Sequence, residues 1–462
     1  MNRALFWTLA LLAAIAAFLL GRLSVPAELY GWDAYPLIAA SKFDSVGAFF
    51  GTFGEELMDG RYPAGSFYRP VLHLMLGVEH LLGGLSPTVY GISNVAVAVL
   101  AAITVGCAAL RIGLHPIGAA LALAFVLLNP VADNVVWFMP RRPESLSLLF
   151  LAAALALQVP GESPRGWRSW ATVLAALLAV GSKESGVLVV PLLFVLHASY
   201  ASPVHALRAT LPAIVAVAAV LVARTVVLGG MGGHPESSFA NLGQVGSFAT
   251  GQLRVVFGSS AEGGGLGLLL APFGIGAALL LVRRSVAPFR AGLWVPLTWL
   301  AGNFALSALS GVERDWYAYQ VLAPLGLLAA TVISAGLYTD PEKPTPSAQR
   351  AAGAALILGI AAALIMPVIT AKPPEDRSAV DASARQTLQE VEQIVNAVPL
   401  GGLAQLQSWY PRVEAGSTSI FLHAPYSLDA YAELIGGPKS VFRRGNPPRK
   451  PDRITVKLTR PR

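Results

Sequence analysis

The chain has 462 residues, 55% of them hydrophobic and only 13% charged, against roughly 25% charged in an ordinary soluble protein, which excludes a single soluble globular domain. Its 33 Lys and Arg against 26 Asp and Glu leave a net charge of +7; in so apolar a chain that excess reads loop by loop as membrane orientation and not as nucleic-acid binding. The one cysteine, Cys107, lies in an apolar run, excludes an intramolecular disulfide framework and a cysteine zinc cluster, and reads as a small buried hydrophobe.

A bilayer core of roughly 30 Å takes about 20 helical residues. About eleven apolar runs of that order, bounded by charge, Gly or Pro, follow along the chain at 4–21, 88–110, 116–132, 144–158, 170–182, 186–199, 209–228, 266–282, 292–308, 318–337 and 351–370. The first follows Arg3 but lacks a small-residue cleavage site, so it is read as a retained anchor. An odd number of spans puts the termini on opposite sides. With the N-terminus in the cytoplasm, the inner loops hold Arg111, Arg165 and Arg168, Arg208, then Arg283, Arg284 and Arg290, and finally Lys343 and Arg350, as the positive-inside rule requires. The other segments of interest then face outward: 22–87, 141–144, the turn at Lys183 and Glu184, 229–265, 313–317 and a tail of about 90 residues.

Segment 22–87 is too long for a connector. Apolar residues at helical spacing over 45–58 and a short apolar run at 71–82 predict two helices lying on the membrane surface. In the tail, 381–398 reads as a soluble amphipathic helix, followed by strand-like runs at 419–422 and 454–458 among Gly, Pro and Asn. The expected fold is an all-α polytopic membrane protein over 1–370 with a small α+β extracytoplasmic domain over 371–462. Ala-rich spans point to a bacterial inner membrane.

The polar residues of the outer segments are the candidates for chemistry. Asp33, in Gly31-Trp32-Asp33-Ala34-Tyr35, is a carboxylate just above the first span that could take a proton from an incoming hydroxyl; a solvated loop Asp or helix cap is the structural alternative. Tyr68-Arg69-Pro70 opens the helix at 71, where Arg69 offers a fork of donors to a phosphate or, alternatively, snorkels to lipid headgroups. His73 and His80 share one face of that helix, but two histidines without a third ligand read as packing, and no residue set supports a divalent cation. Arg141, Arg142 and Glu144 precede a span. Lys183 and Glu184 interrupt about 30 apolar residues, so they sit in a tight turn or a cavity, with a simple ion pair holding the turn as the competing reading. Glu313-Arg314-Asp315-Trp316-Tyr317-Ala318-Tyr319 opens the tenth span, either as a phosphate site or as an aromatic belt with snorkelling charge.

In their order and shared sidedness these motifs resemble the GT-C superfamily of glycosyltransferases, most closely the protein O-mannosyltransferases and the bacterial relatives of the transmembrane, tetratricopeptide-containing mannosyltransferases. The likeness covers 1–370; the tail carries no tetratricopeptide array. The resemblance implies an inverting hexosyltransferase that moves a sugar from a polyprenyl phosphate to an extracytoplasmic acceptor, whether protein, lipid or glycan. It implies Asp33 as general base, and Arg69, Arg142, Lys183 and Arg314 on the leaving lipid phosphate. Tyr68, Glu144, Glu184, Glu313, Tyr317 and Tyr319 would be supporting groups. A transporter or flippase of a lipid-linked sugar is the alternative, though neither related halves nor midplane interruptions stand out.

Overall fold

The computed structural model describes residues 3–30, 33–60, 62, 65–258, 265–282, 286–337, 347–371, 378–397, 403–406, 413–415, 418–420, 426–436, 442–444 and 456–459. Among the described residues the α-helices follow in chain order: α1 Arg3–Leu19, α2 Ala34–Ala40, α3 Val46–Gly51, α4 Pro70–Gly83, α5 Pro87–Ile112, α6 Pro116–Leu128, α7 Pro130–Trp137, α8 Arg142–Ala156, α9 Trp167–Ser182, α10 Val189–Ala198, α11 Pro203–Leu228, α12 Val245–Phe257, α13 Gly265–Val282, α14 Ala287–Ser310, α15 Tyr319–Leu337, α16 Ser347–Thr370, α17 Ser378–Ala397 and α18 Tyr426–Leu434. Their ends are written in the sequence. Pro stands in the first turn of α4, α6, α8, α11 and α14, where its missing N–H costs nothing, and left-handed Gly229 and Gly311 close α11 and α14.

Each of the eleven apolar runs lies in or across these helices. By length and composition, however, only Pro87–Ile112, Pro203–Leu228, Ala287–Ser310 and Asp315–Leu337 qualify as candidate membrane spans among the described residues. A fifth is the pair α6 and α7, bent by 55°. The bend has a cause: at Asn129 the side-chain oxygen accepts from Val131 N at 3.0 Å and the amide donates to Val256 O at 3.1 Å, so a buried polar residue followed by Pro130 replaces the interrupted ladder. The remaining runs form shorter apolar pieces, among them Ala4–Leu19 and Glu184–Ala198.

The chain divides into two compact units. The first, Met1–Ser24, Val95–Val136 and Arg141–Ala371, is the helical bundle. Its centre is α15, whose residues from Tyr319 to Ala335 are buried throughout. Backbones meet closely there because the facing residues are small: a Cβ on Gly118 of α6 would stand 2.7 Å from Ala330 O of α15, a spacing only Gly tolerates.

The second unit, Val25–Asn94, Trp137–Pro140 and Lys372–Arg462, groups the first long loop with the C-terminal segment, whereas the sequence reading divides the chain at 370/371. Here α18 packs on α2, with Tyr35 edge-on to Tyr431 at 4.7 Å. The helix expected over 45–58 is shorter: α3 ends at Gly51 and passes through a 3-10 turn, Thr52–Gly54, before Met58 and Asp59 adopt left-handed φ of 58° and 53°. Gly51 and Gly54 weaken the helix at that point. Helix α17 answers the run at 381–398. The strand-like runs overlap β3, Thr418–Ile420, and β5, Val456–Thr459; β3 pairs antiparallel with β2, Val413–Ala415, while β1, Leu403–Leu406, lies between β5 and β4, Phe442–Arg444. Residues 421–422 and 454–455 of those runs, like Gly31, Trp32, Arg283, Arg284 and Lys343, lie outside the described residues.

Candidate functional site

Antiparallel succession carries the mixed-charge turns of the helical unit to one end. There α8 begins, α9 passes into α10, α11 nears its close and α15 starts. At the α9–α10 break Lys183 is extended (φ −162°, ψ 152°) and Glu184–Leu188 forms a 3-10 turn. Gly186 makes the turn feasible, since a Cβ there would fall 2.2 Å from the Ala179 backbone.

Lys183 and Glu184 each reach a partner outside their own turn. The Lys183 ammonium is joined to the Glu144 carboxylate, their side chains only 12% and 3% exposed, and it also stands 4.3 Å from the centre of the Tyr317 ring. Glu184 instead accepts from Arg224 Nη1 at 2.9 Å. Each charge thus has a partner some 40 residues away, which a turn-holding pair would not need. Gln320 Nε2 donates to Glu144 O at 2.6 Å and Ser147 shares a hydrogen bond with Ser185 at 3.1 Å, so α8, α15 and the α9–α10 turn are tied together by buried polar groups.

Beside this knot, Trp316 receives two guanidinium groups, Arg141 at 4.2 Å and Arg314 at 5.8 Å from its ring centre. Burial lowers Arg141 to about 10, against the opposing pull of Asp315 and then Glu144, so it stays a cation at neutral pH. Arg142 is fully buried and Tyr319 likewise, whereas Glu313, Arg314 and Asp315 are exposed. Glu313 rests its carboxylate against Gly251 of α12. The arrangement gathers cations on carboxylates and aromatic faces, Lys183 where water is scarce and Arg314 at the exposed rim; a phosphate oxygen is the kind of group such cations attract.

The remaining candidates belong to the second unit. Asp33 is half-buried at the start of α2, where its carbonyl accepts from Leu37 N at 2.9 Å and its side chain makes no cap. Tyr68 donates to Phe53 O at 2.9 Å, and burial raises its phenol above the usual range. Arg69 precedes α4 at its N-cap position without a side-chain cap, its guanidinium 4.7 Å from the centre of the Phe67 ring. His73 is buried, which pushes its imidazole down to about 4; a neutral packed side chain results. Among the described residues no group of three or more His, Cys, Asp and Glu could hold a metal ion.

Two participants escaped the sequence reading. Arg224 is a charge sixteen residues beyond Arg208, near the end of the long apolar α11, a signal that marks intramembrane function by default. His234, whose Nε2 lies 3.4 Å from the Tyr317 hydroxyl, sits in an irregular loop with no spacing to announce it.

No family model matches the sequence, and comparison with curated proteins gives no match. Solved structures do. ArnT from Cupriavidus metallidurans bound to undecaprenyl phosphate matches with a TM-score of 0.51 at 14% identity, over 94% of this chain and 85% of that one. The archaeal oligosaccharyltransferase AglB from Archaeoglobus fulgidus, in complex with an inhibitory peptide and a dolichol-phosphate, gives 0.50 at 14% identity over 96% and 64%. At such identity the likeness is one of fold. The chain is an integral membrane protein with the GT-C fold, as its motifs led us to expect.

Proposed function

We propose that the protein is a polyprenyl-phosphate-dependent hexosyltransferase of the extracytoplasmic side. The observation that carries this reading is the cationic knot of the helical unit: Lys183 among Glu144 and Tyr317, with Arg141 and Arg314 on Trp316. Cleaving the bond between the anomeric carbon and a lipid phosphate leaves growing negative charge on the phosphate, and fixed cations in a water-poor site stabilise that charge most effectively. Lys183 and Arg314, with Arg69 and Arg142, are assigned to the phosphate. Glu144, Glu184, Glu313, Tyr68, Tyr317 and Tyr319 orient them.

Asp33 is assigned as general base. It takes the proton of the acceptor hydroxyl as that oxygen attacks the anomeric carbon, and the phosphate leaves from the opposite face with inversion. The proposal includes eleven spans, a cytoplasmic N-terminus in a bacterial inner membrane, and an extracytoplasmic tail as a separate domain over 371–462. The acceptor is a protein, lipid or glycan hydroxyl.

The test incubates purified protein with radiolabelled polyprenyl-phosphate hexoses and acceptor membranes stripped of this chain. Label should leave the lipid, and Asp33→Asn should slow transfer by about two or more orders of magnitude. Movement of intact lipid-linked sugar across the bilayer without bond cleavage would make the protein a transporter; full activity in the Asn variant would remove Asp33 from the mechanism.

A further inference from the structure

The C-terminal segment has no role in the reading above, yet within the second unit it grips both flanks of Asp33. Five residues before that aspartate, Glu28 pairs with Arg385 of α17 at 3.1 Å. Two residues after it, Tyr35, only 4% exposed, meets the ring of Tyr431 edge-on at 4.7 Å. Tyr431 is itself fixed, its hydroxyl donating to Glu392 Oε1 of α17 at 2.6 Å. Burial, reinforced by Glu392, holds this phenol well above its ordinary range, so it remains a donor.

Helix α2 is only 7 residues long, too short to hold its own geometry without tertiary packing. Among its partners α18 is an apolar support, presenting buried Leu428, Ala430 and Ala432 alongside Tyr431. The Asp33 carbonyl accepts from Leu37 N of α2 at 2.9 Å, so the placement of Asp33 follows how the helix is seated.

We infer that the C-terminal segment is a positioning clamp for Asp33, with Tyr431 as its principal positioning residue and Arg385 pairing Glu28 as its second hold. This rests on the reading of Asp33 as general base. A base displaced by about 1 Å loses rate steeply while substrate binding is kept, so the clamp should act on kcat and leave KM alone.

Full-length Tyr431→Ala should lower kcat about 10- to 100-fold at unchanged KM for a polyprenyl-phosphate hexose, and Tyr431→Phe, which keeps the ring, should lower it less. Groups acting as one unit are non-additive: in an Asp33→Asn background, Tyr431→Ala should cause no further loss. Because Tyr431→Ala could unfold the tail, the ion pair, exposed on its Arg385 side, gives a second route: Arg385→Glu should reduce kcat, and Glu28→Arg added to it should restore it. The clamp is overturned if Tyr431→Ala and Arg385→Glu leave kcat unchanged, if their effect is on KM, or if Tyr431→Ala multiplies the loss in the Asp33→Asn background. If Asp33→Asn alone leaves transfer intact, the general-base reading falls first and the clamp with it.

Discussion

The helical unit has two polar ends, and they use the same residue types differently. Helix α8 separates them by about 20 Å at 1.5 Å per residue. At one end Lys183, Arg224 and Arg141 meet carboxylates and aromatic faces. At the other, Arg111 donates to Ala156 O at 3.1 Å and Arg290 to Ser199 O at 2.8 Å, each satisfying carbonyls at a helix end. Gln158 completes that end with bonds of 2.9 Å to Thr172 and 3.2 Å to His197. Arg141 and Arg224 also donate to backbone oxygens, Asn134 O at 3.2 Å and Met231 O at 3.0 Å, but carboxylates and rings hold them as well, and cations so held keep a charge that an arriving anion can share. The partner, more than the residue type, distinguishes scaffold from site.

Breaking the charged end should produce the largest effect. Lys183→Met leaves Glu144 buried without its counter-ion, which should destabilise the protein by about 3–5 kcal/mol. It should also cut transfer by about two orders of magnitude, as loss of one charge-stabilising donor does. Adding Glu144→Met should recover thermal stability in detergent and not transfer; recovery of both would reduce the pair to scaffold. Next, Gly186→Ala forces a Cβ against the Ala179 backbone at 2.2 Å. Thermal inactivation should register about 1–3 kcal/mol, and transfer should fall about tenfold or more as Lys183 shifts.

At the far end the balance reverses. Arg290→Ala should cost about 1.5–3 kcal/mol of stability, the range for hydrogen bonds from a charged donor, while the specific activity of surviving protein stays within about twofold of the parent. A large loss of turnover would erase the contrast between the ends. The smallest change is expected from Tyr317→Phe, which keeps the ring beside Lys183 and removes a long 3.4 Å contact with His234. Initial rates should drop less than about threefold, as befits one long, weak hydrogen bond.

Much of this was legible in the chain. Apolar runs became helices because Gly, Pro and charge punctuate them, and the turns at Glu144, Lys183 and Tyr317 were visible because charge inside apolar sequence demands compensation. The partners were not: that Lys183 answers Glu144 and Glu184 answers Arg224 depends on which helices are neighbours. Helix α2 was hidden by its length and by Pro36, while the left-handed Met58 carries no residue preference that betrays it. Arg142 stood out in sequence, yet it is the neighbouring Arg141 that reaches the Trp316 ring.

The most direct test is a cryo-EM structure of the full chain in nanodiscs with undecaprenyl phosphate. The account predicts the phosphate in hydrogen-bond range of Lys183 and beside Arg141 or Arg314. A phosphate seated instead by Arg111 and Arg290, or held equally well by Lys183→Met, would contradict it.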